Sequence, residues 1–141
     1  MHKVMLPVDG SASSENAARF LVGSVRELGA MEIHVLNVQA LAEGWEVKRF
    51  LREDELASMA HEYGEAALAS TRAILDAAGI ACTIHIEQGE VATTIASMTQ
   101  ALGCDQVVMG SHGRSVLAGL FLGSVATKVL HLVNVPVTLV K

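Results

Sequence analysis

Short, almost continuous apolar runs alternate along this chain with longer stretches whose apolar positions recur every three or four residues. Residues 3–8 form the first such run, Lys-Val-Met-Leu-Pro-Val, and read as a strand buried on both faces. Ser11, Ser13 and Ser14 follow, each suited to cap a helix. Phe20, Leu21, Val25 and Leu28 then mark the expected inner face of that helix, with Gly29 as its stop. Residues 33–38 predict a second strand. Residues 39–52, with Trp45 among them, mix polar and apolar positions and predict a loop, with or without some helix. A long helix is predicted over 53–78, buried along Leu56, Met59, Ala60, Tyr63, Ala67, Ile74 and Ala77 and ended by Gly79. Residues 82–87 alternate apolar with polar, as a half-exposed edge strand does. Gly89 turns the chain into a helix with Val91, Ile95, Met98 and Leu102 inward and Gly103 at its end. Residues 106–109 are a fourth apolar strand, 124–133 a last helix broken by Pro136, and Val137–Val140 a last strand.

The order is therefore βαβαβαβαβ. Helix-length crossovers between strands imply a parallel sheet covered on both faces, an α/β fold. No linker, repeat or low-complexity segment interrupts it, so one domain is expected over 1–141. Composition agrees: 51% of residues are hydrophobic, enough for a core without staples. Aromatics are 4%, so aliphatic side chains and alanine must fill that core. The formal charge of −5 lacks the basic footprint of a nucleic-acid binder. Cys82 and Cys104 sit in apolar surroundings with no CxxC pair, and read as reduced, buried thiols. No signal-peptide pattern and no membrane-length apolar run is present, so a cytoplasmic location without membrane insertion is expected.

Ligands on open parallel sheets sit beyond the carboxyl ends of the strands, where strand order reverses. Asp9, Gly10 and Ser11 follow the first strand there. After the fourth comes Gly110-Ser111-His112-Gly113-Arg114-Ser115, closing at Gly123-Ser124 on the last helix. The spacing is G-x2-G-x9-G-S. Gly110 and Gly113 allow backbone to approach a ligand with no Cβ in the way, and successive amides there can form an anion nest. Gly123 and Ser124 would present amides at a helix start, where the dipole also favours an anion. Any one glycine, Gly119 included, is more readily a turn or cap. Together, the two anion-friendly spots suit a polyphosphate. The loop is neither a P-loop, which needs Gly-Lys-Ser/Thr, nor a G-x-G-x-x-G dinucleotide turn.

These segments, with Asn134-Val135-Pro136-Val137 near the end and Pro7-Val8-Asp9-Gly10-Ser11 near the start, resemble the universal stress protein family over essentially the whole chain. The glycine pattern resembles the branch of that family that binds ATP. The resemblance implies a Rossmann-like, five-stranded parallel sheet in order 3-2-1-4-5. It implies that Asp9 meets the ribose or a phosphate-bound metal such as Mg. It also implies that the Val38 backbone pairs with the adenine edge, that Pro7 and Val8 line the base pocket, and that Met109 flanks the nucleotide. Gly110, Gly113, Gly123, Ser124 and Val125 would hold the phosphates. A homodimer through Val137–Val140 is implied too, and an apolar edge strand does need a cover.

His112 and Arg114 lie inside the loop and either reach a phosphate or stand exposed. His34, His61, His85 and His131 show no paired metal spacing and read as surface or packing residues. Glu62 and Glu65 read as the solvated side of a helix, and Trp45 as a cover for the crevice or for a partner surface. No nucleophile or general base is evident beside the loop, and the cationic clamp of a phosphoryl-transfer enzyme is missing. Three functions compete: an ATP-binding stress-response regulator acting on a downstream protein, a slow ATPase or self-phosphorylating enzyme, and a dimeric scaffold without nucleotide. The complete glycine set argues against the third, and the missing catalytic apparatus against the second.

Overall fold

The computed structural model describes residues 1–40, 52–113 and 122–141. Among the described residues nine elements follow one another: β1 (Lys3–Pro7), α1 (Ala12–Leu28), β2 (Glu32–Gln39), α2 (Glu53–Ala77), β3 (Thr83–Gln88), α3 (Val91–Ala101), β4 (Gln106–Gly110), α4 (Ser124–Leu132) and β5 (Val137–Val140). All strand pairings are parallel, in the order β3-β2-β1-β4-β5. Element order and sheet order both match the expectations from sequence.

The continuous apolar runs have a direct cause. Successive strand residues face opposite sides of a sheet, and here both sides are covered. Val4, Leu6, Ile33 and Val35 pack with Ala17, Ala18, Leu21 and Val22 of α1 and with Leu68 and Leu75 of α2. Met5, Leu36, Val107 and Met109 pack on the other side with Ala92 and Ile95 of α3 and Ala126 and Val129 of α4. At the edge, β3 has no fully buried residue, as its alternating sequence predicts.

Two helix faces depart from expectation. The inner face of α1 is Ser14, Ala17, Ala18, Leu21 and Val22, whereas Phe20 and Leu28 are 44% and 77% exposed. In α2 the buried positions are Gly64, Ala67, Leu68, Thr71 and Leu75, and Met59 and Tyr63 point to solvent. Ala77 is exposed too, while Leu56, Ala60 and Ile74 are half-buried. The reason is close approach. A Cβ on Gly64 would stand 2.7 Å from Ile86 Cγ2, so the helix lies nearly against the strand and small residues form the contact. The largest apolar side chains therefore do not mark the inner face.

The thiols are free, Cys104 buried and Cys82 half-buried. Burial pushes both above the ordinary thiol range, with Asp76 adding to the effect at Cys82. Neither forms a reactive thiolate at neutral pH.

Candidate nucleotide site

The site begins where β1 and β4 part. Leu6 and Val8 turn their backbone groups toward β2, so the intervening Pro7 faces β4 and has no N–H to offer it. Pairing of β1 with β4 accordingly stops at Met5–Val107, while pairing with β2 runs on to Pro7–Leu36. The sheet splits at the point where its strand order reverses, and a cavity of about 270 Å³ opens there. Its lining has two characters. Pro7, Leu36, Val38, Val91, Ile95 and Met109 are apolar, whereas Asp9, Ser11, Gly110–Gly113 and Gly123–Val125 carry the polar groups.

Each polar element is held by its neighbours. Asp9 Oδ1 accepts from Ser11 N–H (2.9 Å), leaving Oδ2 on the side of Gly113, where an added Cβ would come within 2.9 Å. Gly110 packs on the first turn of α1: an added Cβ would stand 2.8 Å from the Ser13 carbonyl carbon and 2.9 Å from Ser13 Cβ. Ser13 Oγ donates to Val140 O (2.9 Å) and accepts from His112 N–H (3.4 Å), tying β5 and the loop to α1. Gly123 N–H donates to Ser111 O (2.7 Å) and closes the loop against its own start.

Helix ends differ in a telling way. Ser11 caps α1 with a side-chain oxygen that accepts from Ser14 N–H, and Glu90 caps α3 by accepting from Thr93 N–H. Those hydrogen bonds from Thr93 hold the Glu90 carboxyl below its ordinary range. The cap of α4 is Gly123, which has no side chain to give. The first amides of α4 border the cavity and suit an external anion.

Of the residues singled out from sequence, Pro7, Val8, Asp9, Val38, Met109, Gly110, His112, Gly113, Gly123, Ser124 and Val125 all line this one cavity. Arg114, Gly119 and Trp45 lie outside the described residues. Sequence reasoning missed Leu36, Val91, Ile95 and Ala126, whose inward positions on strands and helices were legible but whose convergence was not. It also missed Ser111, whose Oγ lies 2.8 Å from His112 Nδ1. The histidines read as scattered include one close pair: His34 Nδ1 and His85 Nε2 are 3.0 Å apart, and His34 Nε2 meets Glu32 Oε1 at 2.9 Å. Among the described residues no group of three or more His, Cys, Asp or Glu is arranged to hold a metal ion, and no helix is long and apolar enough to cross a membrane.

The sequence pattern of the universal stress protein family matches residues 1–141. The chain belongs to that family. It is 29% identical over 146 residues to the universal stress protein MJ0531 of Methanocaldococcus jannaschii, covering 99% of this chain and 81% of that one. Among solved structures it resembles the protein MJ0577, with a TM-score of 0.85 at 29% identity, over 99% of this chain and 95% of the other. A member from Arabidopsis thaliana, solved with AMP bound, has the same fold, with a TM-score of 0.70 at 19% identity over 100% and 92% of the two chains. Other universal stress proteins of this fold were solved with cAMP and with dAMP.

Proposed function

We propose that this universal stress protein binds an adenine nucleotide in the cavity between β1 and β4. The base lies at the apolar end, against Pro7, Val8, Leu36, Val38 and Met109, with the Val38 main chain meeting its edge. The phosphates lie on the amides of Gly110, Gly113, Gly123, Ser124 and Val125, with His112 and Arg114 on the same loop. The carrying observation is the two-sided lining of the cavity, apolar at one end and closed by an uncapped helix N-terminus at the other. Adenine nucleotides in other members of the fold support the ligand class.

The loop and helix pair serve more than one phosphate, so ATP is the preferred ligand. Asp9 fits a role in holding a phosphate-bound Mg ion. It contributes a carboxylate to the lining, and Mg is commonly held by one or two carboxylates together with substrate phosphates. Occupancy sets conformation or partner choice in a single-domain cytoplasmic regulator, which pairs with a second copy along Val137–Val140. Denaturing the purified protein and identifying released nucleotide, then titrating the emptied protein with ATP, AMP and GTP, tests this. No released nucleotide and no binding heat with ATP would overturn it.

A second reading, slow ATP hydrolysis or self-phosphorylation, has one observation in its favour. The Ser111 hydroxyl and the His112 imidazole touch inside the cavity lining, a hydroxyl beside a base. Phosphate released, or label transferred from γ-labelled ATP to the protein and lost in Ser111→Ala, would promote that reading.

A further inference from the structure

Asn37 is 3% exposed and sits on β2 between two cavity-lining residues, Leu36 and Val38. Its own side chain faces the other way, under α2. Gly64 makes the room: a Cβ there would come 3.3 Å from Asn37 Oδ1. The orientation of the amide is fixed by chemistry. Val8 O can only accept, so the nitrogen of Asn37 must face it, and Nδ2 donates at 2.8 Å. Oδ1 then accepts from Gln39 Nε2 at 2.6 Å.

The acceptor it occupies matters. Val8 N–H donates to Leu36 O at 2.8 Å, the last rung of the β1–β2 ladder. In a parallel ladder the next rung would run from Val38 N–H to that same Val8 carbonyl. The Asn37 side chain takes the oxygen first. One amide thus ends the ladder, anchors the turn into Asp9, and leaves the Val38 main chain at the cavity edge.

We propose that Asn37 is a positioning residue that sets base specificity, by ending the β1–β2 ladder one rung early so that the Val38 main chain reads the purine edge. This rests on the adenine-nucleotide reading above and deepens it. An N–H and a carbonyl on one extended residue match the acceptor and donor on the edge of adenine. Guanine presents the opposite arrangement.

The test compares ATP, GTP and tripolyphosphate binding to the intact chain and two variants by calorimetry. Asn37→Leu lets Val38 N–H close on Val8 O. ATP affinity should fall about tenfold, the value of one well-made hydrogen bond with its neighbour, and the ATP/GTP ratio should approach one. Tripolyphosphate affinity should stay within about twofold, a separation that general loosening would not give. Gln39→Met, at a half-buried position, leaves Asn37 Oδ1 unclamped and should lower the ATP/GTP ratio by about threefold. An unchanged ratio in both variants, or ATP and tripolyphosphate weakened by one common factor, overturns the proposal. If the parent chain itself binds neither nucleotide, the underlying reading falls and this proposal with it. ATP binding that persists with an unchanged ratio removes the role of Asn37 alone.

Discussion

Two places on this sheet gather polar groups in otherwise apolar surroundings, and they differ in what those groups face. At the β2–β3 edge, Glu32, His34 and His85 contact one another in a line, and Lys3 Nζ comes within 4.0 Å of Glu32. That cluster has the residue types of a metal or catalytic site, yet its ring nitrogens are turned on each other. At the β1–β4 cleft the polar lining is one carboxylate, four serines, a histidine and three glycines. There the groups face a cavity, and much of what they offer is backbone. Reactive side chains satisfied by each other make a structural device, whereas main-chain donors beside empty space make a binding site. The nucleotide proposed above lies in the second region.

The comparison breaks most sharply at the two loop glycines. Gly113→Val should abolish ATP binding, by about a hundredfold or more (~2.7 kcal/mol), with little change in melting temperature. Its Cβ would displace Asp9 Oδ2 and its methyls would enter the cavity. Gly110→Ala should instead cost stability, about 1–3 kcal/mol. Its Cβ would meet the backbone of Ser13, which cannot swing aside as a side chain does. Thermal melts with parallel ATP titrations separate the two. ATP bound equally well by Gly113→Val would mean that the phosphates lie elsewhere.

Asp9 gives the next effect. A carboxylate beside polyphosphate is repulsive unless a cation lies between them. Removing divalent cations should weaken ATP binding to the parent chain by about tenfold, and AMP binding less. In Asp9→Asn, whose amide oxygen still accepts from Ser11 N–H, the dependence on Mg should largely vanish. A variant that keeps the full Mg dependence would show that the metal is held by the phosphates without Asp9.

The sheet was legible because strands buried on both faces are largely apolar, as 4–8, 33–38 (His34 and Asn37 apart) and 107–109 are. Helix faces were harder. Where α1 and α2 press closely on strands, alanine, glycine, serine and threonine form the contact, so following Phe20 or Tyr63 misled. The glycines that border the cavity were legible from their spacing, since glycine is where backbone can come close to a ligand. Asn37 was not, because its meaning depends on which carbonyl the neighbouring strand places beside it. The same holds for His34 and His85, which are 51 residues apart in sequence and adjacent through the β2–β3 register.

That histidine pair supplies the smallest expected effect and the cleanest contrast with the cleft. Burial, reinforced by His34 and opposed by Glu87, lowers the His85 pKa from its ordinary value of 6.5. The folded chain therefore resists protonation in a range where the unfolded chain accepts it. Above 6.5 the group contributes nothing to the pH dependence. As pH falls below 6.5 toward the lower folded value, the unfolded state binds more protons and stability drops. A charge on both rings would also break the hydrogen bond between them, since neither nitrogen could then accept. Glu32, Glu87 and Lys3 are the other charged groups around the pair. Melting temperature should therefore fall as pH drops below 6.5, and His85→Gln should remove part of that fall, by less than about 4 °C. ATP affinity at neutral pH should be unchanged in the same variant, because neither histidine lines the cavity. An identical pH slope in parent and variant would show that the pair does not titrate on unfolding. Lost ATP binding would show that the two regions are coupled rather than distinct.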